Sequence, residues 1–347
     1  MKQLHFLFLL FTFYSIISLG EIMEQIFKTL TELIKKFDNI LIMTHKNPDF
    51  DGMGSAIGLQ QVIHSFKKNS YICINSNERN KALLKSYNLL TENNVYFQTV
   101  LKSKVETLIN DDTLLIILDT HRKEITEVPQ LIDKMENVIV IDHHIKSKHY
   151  IKEGILSYIN SNLSSTVEFM ANYIKYLNKK IDPLVATLML VGLEIDTNNF
   201  RLKTTEATYE AAAFLTQLGA NTMFKQELIQ ENKADYIKRQ KLIEKSYMVT
   251  PNTALCIAED DFYENKDLAS IAEQLLQFEN VESSFVIGRL SEKVIGISAR
   301  SIGNINVEQY MAKLGGGGHL NEAATQIENS TIKQVQKQLI ALIGGLK

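Results

Sequence analysis

Apolar residues at Ile26, Leu30, Leu33 and Ile34 recur at helical spacing and run into residues 39–44, a compact apolar segment with the length of a buried strand. A helix opening on the glycine-rich stretch 52–58 continues through Leu59, Val62, Ile63 and Phe66, and residues 71–75 have the pattern of the next short strand. Two more apolar strands are predicted over 113–118 and 137–141, and each stops on an aspartate, Asp119 and Asp142. Strands that are apolar at nearly every position belong to a parallel sheet covered on both faces.

From residue 164 to 232 the pattern turns helical, with helices predicted over 166–177, 183–194, 206–218 and 221–230. Residues 235–247 are charged and amphipathic and predict a connecting helix. Beyond Pro251, strands return at 253–258, 284–289 and 294–300, with helices between them and a last one over 332–343. A length of 347 residues suits two cores. The expectation is therefore α/β: a parallel-sheet domain over 23–232, a linker helix over 233–249 and a smaller α/β domain over 250–347.

Composition refines this picture. With 45% hydrophobic and 22% charged residues and 4 prolines, the chain is that of a folded protein. The net charge is -3 and no basic stripe is visible, which argues against a long nucleic acid as substrate while leaving room for a small anion. Cys73 and Cys256 lie far apart in apolar strands and read as buried free thiols, as in a reducing compartment. Residues 1–22 form a separate N-terminal segment, apolar over 5–19 apart from Thr12 and Ser15 and preceded there by Lys2, with two readings open: a weak membrane anchor or signal-peptide core over residues 4–19, or an upstream start with translation beginning at Met23. On the first reading the catalytic part is cytoplasmic and membrane-anchored.

The chemistry-bearing residues cluster at predicted strand ends. In residues 44–52 the order Thr-His-Lys-Asn-Pro-Asp-Phe-Asp-Gly places His45, Asp49 and Asp51 just past the first strand, in a loop stiffened by Pro48. Ligands of open parallel sheets bind outside the carboxyl ends of the strands, so these side chains can converge on a metal; helix capping by the aspartates is the alternative. Asp119 and the triplet Asp142-His143-His144 end neighbouring strands at the same edge. Acidic strand ends this close repel one another unless a cation neutralises them, and mixed imidazole and carboxylate donors suit Mn, Fe, Zn or Co better than Ca or Mg. Residues 315–318 are four consecutive glycines followed by His319, a loop whose backbone amides can approach an anion, although the same glycines also suit a sharp turn.

These residues in this order resemble the DHH phosphoesterase family, and the second half resembles the DHHA1 substrate domain. The likeness covers about residues 25–345, and is greatest to the cyclic di-AMP phosphodiesterase branch of the GdpP type. That branch is matched by Asp119-Thr-His-Arg122, by Ser-Ser-Thr-Val-Glu at 164–168, by Asp-Thr-Asn-Asn-Phe at 196–200, by Tyr-Ile-Lys-Arg at 236–239 and by the segment 298–306. The resemblance implies two Mn ions, with Mg, Co or Fe as substitutes. One would sit on His45, Asp49 and Asp119, and the other on Asp51, Asp119, His143 and Asp196, so that Asp119 bridges them. Asp142 would hold an imidazole in its tautomer, and His144 would contact phosphate or donate a proton to the leaving oxygen. Arg300, Gly316, Gly317, Gly318 and His319 would grip substrate, the second domain closing over the metals on the 235–247 hinge. Ser165 would either contact substrate or cap a helix.

The implied activity is hydrolysis of cyclic di-AMP to pApA by a metal-activated hydroxide, with onward cleavage to AMP left open. The alternative is a nanoRNase and pAp phosphatase activity on linear dinucleotides, short oligoribonucleotides and 3'-phosphoadenosine 5'-phosphate. A homodimer is expected. The sensor and cyclase-like domains that usually precede the catalytic part in that branch are not matched, so regulation through them is not expected.

Overall fold

An amphipathic helix, α1 (Leu19–Lys36), leads into β1 (Asn39–Met43) in the computed structural model of the chain. The structure describes residues 19–75, 81–148, 150–151, 154–318 and 320–345. After β1 come α2 (Phe50–Ser65), β2 (Asn69–Ile74), α3 (Lys81–Glu92), β3 (Thr99–Leu101), β4 (Thr113–Leu118), β5 (Val138–Asp142) and β6 (Leu156–Ile159). Four helices complete the first unit: α4 (Thr166–Tyr176), α5 (Pro183–Asp196), α6 (Glu206–Gln217) and α7 (Thr222–Ile229).

All strand pairs of this unit are parallel, in the order β3-β2-β1-β4-β5-β6. Side chains alternate across a strand, and both faces here are apolar. Ile40 and Ile42 of β1 enter one buried cluster with α1, α2, α4 and α5, while Leu41 and Met43 enter a second with Cys73, Leu115 and Val140 on the opposite face. The strand order reverses between β1 and β4. Chain connections leave in opposite directions at such a point, opening a crevice at the carboxyl ends of the two strands.

The second unit begins at Glu231. It contains α8 (Lys233–Glu244), β7 (Tyr247–Thr250), β8 (Thr253–Phe262), α9 (Asn265–Leu275), β9 (Ser283–Arg289), β10 (Val294–Ser301), α10 (Glu308–Lys313), β11 (Gly317–Gly318), β12 (Glu322–Glu328) and α11 (Ile332–Gly345). Its sheet is mixed, in the order β11-β12-β10-β9-β8-β7, with β8 and β9 parallel and the other pairs antiparallel. The expected helix over 235–247 is α8. It packs within this unit, Gln240 Nε2 donating to Gln274 Oε1 at 3.1 Å and Lys238 Nζ to Asp261 Oδ2 at 2.6 Å. The helix stops at its C-cap Lys245, and Tyr247 instead pairs with Leu255 as a strand.

The expectation of a cytoplasmic catalytic domain anchored in a membrane by residues 4–19 is corrected. None of the described helices is long and apolar enough to cross a membrane. Residues 1–18, where nearly all of the expected anchor falls, lie outside the described residues, and α1 carries six acidic or basic side chains, Glu21, Glu24, Lys28, Glu32, Lys35 and Lys36.

Close packing of α2 on α5 sets up the crevice. A Cβ on Gly54 would lie 3.0 Å from Met189 Cα, and one on Gly192 would lie 2.7 Å from Phe50 O and 2.8 Å from Asp51 Cα. At Gly192 the obstruction is backbone, which cannot swing aside. Gly192→Ala is therefore expected to push α5 away from the start of α2 and to cost about 1–3 kcal/mol of stability, read as a lower denaturation midpoint with an unchanged slope. An unchanged midpoint would mean that the two helices are not in this contact.

Candidate metal centre

The loop after β1 is pinned at the mouth of the crevice. Lys46 N–H donates to Ile125 O at 2.6 Å and Glu127 N–H to Thr44 O at 3.0 Å. His45 Nδ1 lies 2.9 Å from Lys46 O, a group that can only accept, so Nδ1 carries the proton and Nε2 is turned toward carboxylates. Nε2 is 3.9 Å from Asp49 Oδ1 and 3.4 Å from Asp119 Oδ2. Asp49 is also the N-cap of α2, its Oδ1 accepting from the amides of Asp51 at 2.9 Å and Gly52 at 3.1 Å. Capping and convergence on the cluster, set apart as alternatives on sequence grounds, coexist in one side chain.

Asp51 lies in the first turn of α2 and is buried. Its Oδ2 accepts from Thr166 N–H at 2.8 Å and its Oδ1 from Val167 N–H at 2.7 Å, so the amino end of α4 is aimed at this carboxylate. Thr166 Oγ1 donates to Asp119 Oδ1 at 3.1 Å. Asp119 follows β4 with φ at +62°, a left-handed conformation that costs a non-glycine residue about 1–3 kcal/mol and persists only where its surroundings hold it. Its own N–H donates to Ile141 O at 3.0 Å.

His143, beyond β5, brings Nε2 to 3.4 Å from Asp119 Oδ1, 3.2 Å from Asp196 Oδ2 at the end of α5 and 3.9 Å from Asp51 Oδ2. Of three groups whose donor atoms lie within 4.8 Å of one another, two form separate sets, His45, Asp49 and Asp119, and Asp51, His143 and Asp196, while the third, Asp119, His143 and His144, overlaps them. Asp119 touches both, Oδ2 facing His45 and Oδ1 facing His143. These residues could hold metal ions, and a carboxylate with one oxygen toward each set fits a pair of cations.

The protonation pattern points the same way. Burial and the Asp119 charge push the Asp51 carboxyl well above the ordinary range, and burial together with Asp51, Asp49 and Asp119 does the same to Asp196. Burial also opposes ionisation of Asp119, but hydrogen bonds to His143 and His45 outweigh it and hold that carboxyl below the ordinary range. For His45, burial favours the neutral ring, yet Asp119 and Asp49 carry it up to about 11. The metal-free cluster neutralises its carboxylates with protons.

Asp142 is fully buried and uses both oxygens. Oδ2 faces His121 Nδ1 in a short contact, and Oδ1 accepts from His144 N–H at 3.1 Å and lies 2.7 Å from His144 Nδ1. Burial opposes its ionisation, but the hydrogen bonds from His121 and His144 hold its carboxyl low. His144 is raised: burial acts against the charged ring and the Asp142 contact more than offsets it. His121 belongs to the motif at 119–122, but sequence reasoning gave it no role. The signal was its place two residues after a strand-end aspartate.

The buried Ser165 hydroxyl caps α4, accepting from Glu168 N–H at 3.1 Å. Arg300 on β10 spends Nε on Glu273 Oε1 at 3.1 Å and Nη1 on Ser298 Oγ at 3.3 Å and Ala299 O at 3.1 Å. Backbone crowding requires glycine at two loop positions: a Cβ on Gly316 would lie 2.2 Å from Ala324 O, and one on Gly318, at φ +153°, 2.4 Å from Ala323 Cα. Gly317 faces open space, with nothing within 4 Å of where a Cβ would stand. His319 lies outside the described residues.

Residues 39–193 match the family model described as DHH family, N-terminal domain, and residues 252–345 match the DHHA1 domain. A protein of Geobacillus thermodenitrificans named cyclic-di-AMP phosphodiesterase GdpP is 35% identical over 89% of this chain and 48% of its own length. The Listeria monocytogenes protein named cyclic-di-AMP phosphodiesterase PdeA is 34% identical over 91% of this chain and 49% of its own length. The chain thus spans about half the length of these curated relatives. A crystal structure of an exopolyphosphatase-related protein from Bacteroides fragilis shares the fold, with a TM-score of 0.79 at 19% identity over 96% of this chain and 98% of that one.

Because His45 keeps its proton up to about pH 11 in the metal-free chain, a cation that takes Nε2 must displace that proton. Binding of Mn2+ is therefore expected to release protons and to weaken as pH falls from 8 to 6. Calorimetric titration in buffers of different ionisation enthalpy measures this, and a binding enthalpy independent of buffer would contradict it.

Proposed function

The chain belongs to the DHH family, and from that premise we propose that it is a metal-dependent phosphodiesterase that opens cyclic di-AMP to pApA. The observation that carries this reading is the position of Asp119, one oxygen toward each of two imidazole and carboxylate sets at the switch point of the sheet. His45, Asp49 and Asp119 would hold one divalent cation, and Asp51, Asp119, His143 and Asp196 a second; Mn2+ suits this mixture of donors. Such ions supply charge neutralisation at phosphorus and a hydroxide near neutral pH.

The remaining work falls to the chain's own side chains. The product pApA carries its phosphate on the 5' oxygen, so the bond that breaks joins phosphorus to a ribose 3' oxygen. Hydroxide adds at phosphorus, the bond to the 3' oxygen breaks, and its electron pair takes a proton from Nε2 of the doubly protonated His144 ring. The neutral ring left behind keeps its hydrogen on Nδ1, facing Asp142. The hold of Asp142 Oδ1 on His144 Nδ1 at 2.7 Å, on a side chain that is otherwise half exposed, supports this role. Arg300, Gly316, Gly317, Gly318 and His319 would supply anion contacts from the DHHA1 unit, with open space at the Cβ position of Gly317. The curated relatives named as cyclic-di-AMP phosphodiesterases support the choice of substrate.

Turnover with Mn2+ is to be compared for cyclic di-AMP, pApA, short oligoribonucleotides and 3'-phosphoadenosine 5'-phosphate. Cyclic di-AMP is expected to give the highest kcat/KM; a clear preference for the linear substrates would replace this reading with the nanoRNase and pAp phosphatase one. Asp119→Ala is expected to lower kcat at least about a thousandfold, as follows from losing several kcal/mol of charge stabilisation. Near-wild-type turnover by that variant would remove the two-metal assignment.

A further inference from the structure

We infer that His121 is a positioning residue for the reaction, donating from Nδ1 to Asp142 and thereby fixing the ring of His144. The inference rests on the proposed role of His144 as proton donor, and it concerns a side chain that the metal sets do not use.

The direction of the hydrogen bonds is set by the backbone. Ser147 N–H, which can only donate, lies 2.9 Å from His121 Nε2. That nitrogen must present its lone pair, so the hydrogen of the neutral ring sits on Nδ1, where it faces Asp142 Oδ2. Asp142 has no other acceptor to offer in that direction, and its Oδ1 is taken by the N–H and Nδ1 of His144. The result is a chain of polar contacts from the Ser147 amide through His121 and Asp142 to His144. The His121 backbone is also tied down, its carbonyl accepting from Ile151 N–H at 2.8 Å.

Burial separates the two ends of this chain. The side chains of His121 and Asp142 are 3% and 0% exposed, whereas that of His144 is 50% exposed. The ring is held at Nδ1 and rests against the ring of His143, and half of the side chain stays open to solvent. Without His121, Asp142 would keep a buried, unsatisfied Oδ2 and be held through Oδ1 alone, so the imidazole it orients would be held less firmly.

Three variants separate positioning from bulk support. His121→Asn keeps a donor near the Nδ1 position, His121→Gln keeps polar atoms only near Nε2, and His121→Phe removes both. The full chain with Mn2+ is assayed on cyclic di-AMP and on bis(p-nitrophenyl) phosphate, whose leaving group departs without needing a proton. On cyclic di-AMP, H121Q and H121F are expected to lose about 10- to 100-fold in kcat with little change in KM, the usual size of such an effect. H121N is expected to recover most of that loss. On the p-nitrophenyl ester the losses should shrink to less than about threefold, and combining H121F with H144A should add nothing to H144A alone.

A readout independent of turnover accompanies these assays. In metal-free chain labelled with 15N-histidine, a buried Nδ1–H imidazole signal is expected, absent in H121F and shifted in D142N. Equal losses for all three variants on both substrates, or a loss in H121F that adds fully to H144A, would overturn the assignment. If the wild-type chain leaves cyclic di-AMP untouched, the substrate reading fails separately. The nitrogen signal then decides the His121 contact: an Nε2–H tautomer at His121 overturns it and an Nδ1–H tautomer upholds it.

Discussion

Asp51, Asp119 and Asp196 are drawn to one end of the first sheet and largely shut off from water, which sets the terms for the surrounding structure. Two unit charges within 4.8 Å of each other, the spread of donor atoms in each set, repel by roughly 3–4 kcal/mol at the effective dielectric of partly buried sites. The amino end of α4 offers Asp51 two amide hydrogen bonds and a helix dipole worth about 0.3–2 kcal/mol of favourable field. Asp196 has the opposite situation, because it closes α5 at the carboxyl end, where the dipole is unfavourable to an anion. Helix dipoles therefore cannot balance the cluster; protons or cations must.

Geometry rather than local preference keeps the groups in place. Asp119 accepts a left-handed backbone because its N–H is bound to Ile141 O and its carboxylate to Thr166 and two imidazoles. α5 can bring Asp196 beside Asp51 because glycines at 54 and 192 let the α2 and α5 backbones approach. Sheet order places β1 and β4 side by side with their connections leaving in opposite directions, and the cluster occupies that gap.

The central strands could be read from the sequence because they are buried on both faces and so are apolar throughout: β4 is Thr-Leu-Leu-Ile-Ile-Leu with every residue buried. The edge strands could not. β3 has three residues and β6 is Leu-Ser-Tyr-Ile with all four side chains at least partly exposed, so neither has a continuous apolar run. At the site, His45, Asp49, Asp51, Asp119 and His143 announce themselves by following predicted strands, whereas Asp196 ends a helix and was reached through family resemblance alone. His121 escaped because its partner is 21 residues away and because a single histidine in a loop has no periodicity.

The glycine run shows how one pattern can serve two demands at different positions. Gly316 and Gly318 are required by the close approach of the β12 backbone, a structural reason that needs no ligand. Gly317 lies between them with open space where a side chain would be, so its glycine is not explained by packing. Packing therefore fixes the glycines at 316 and 318 and leaves the one at 317 to a demand other than packing, which is where the proposed anion contact belongs.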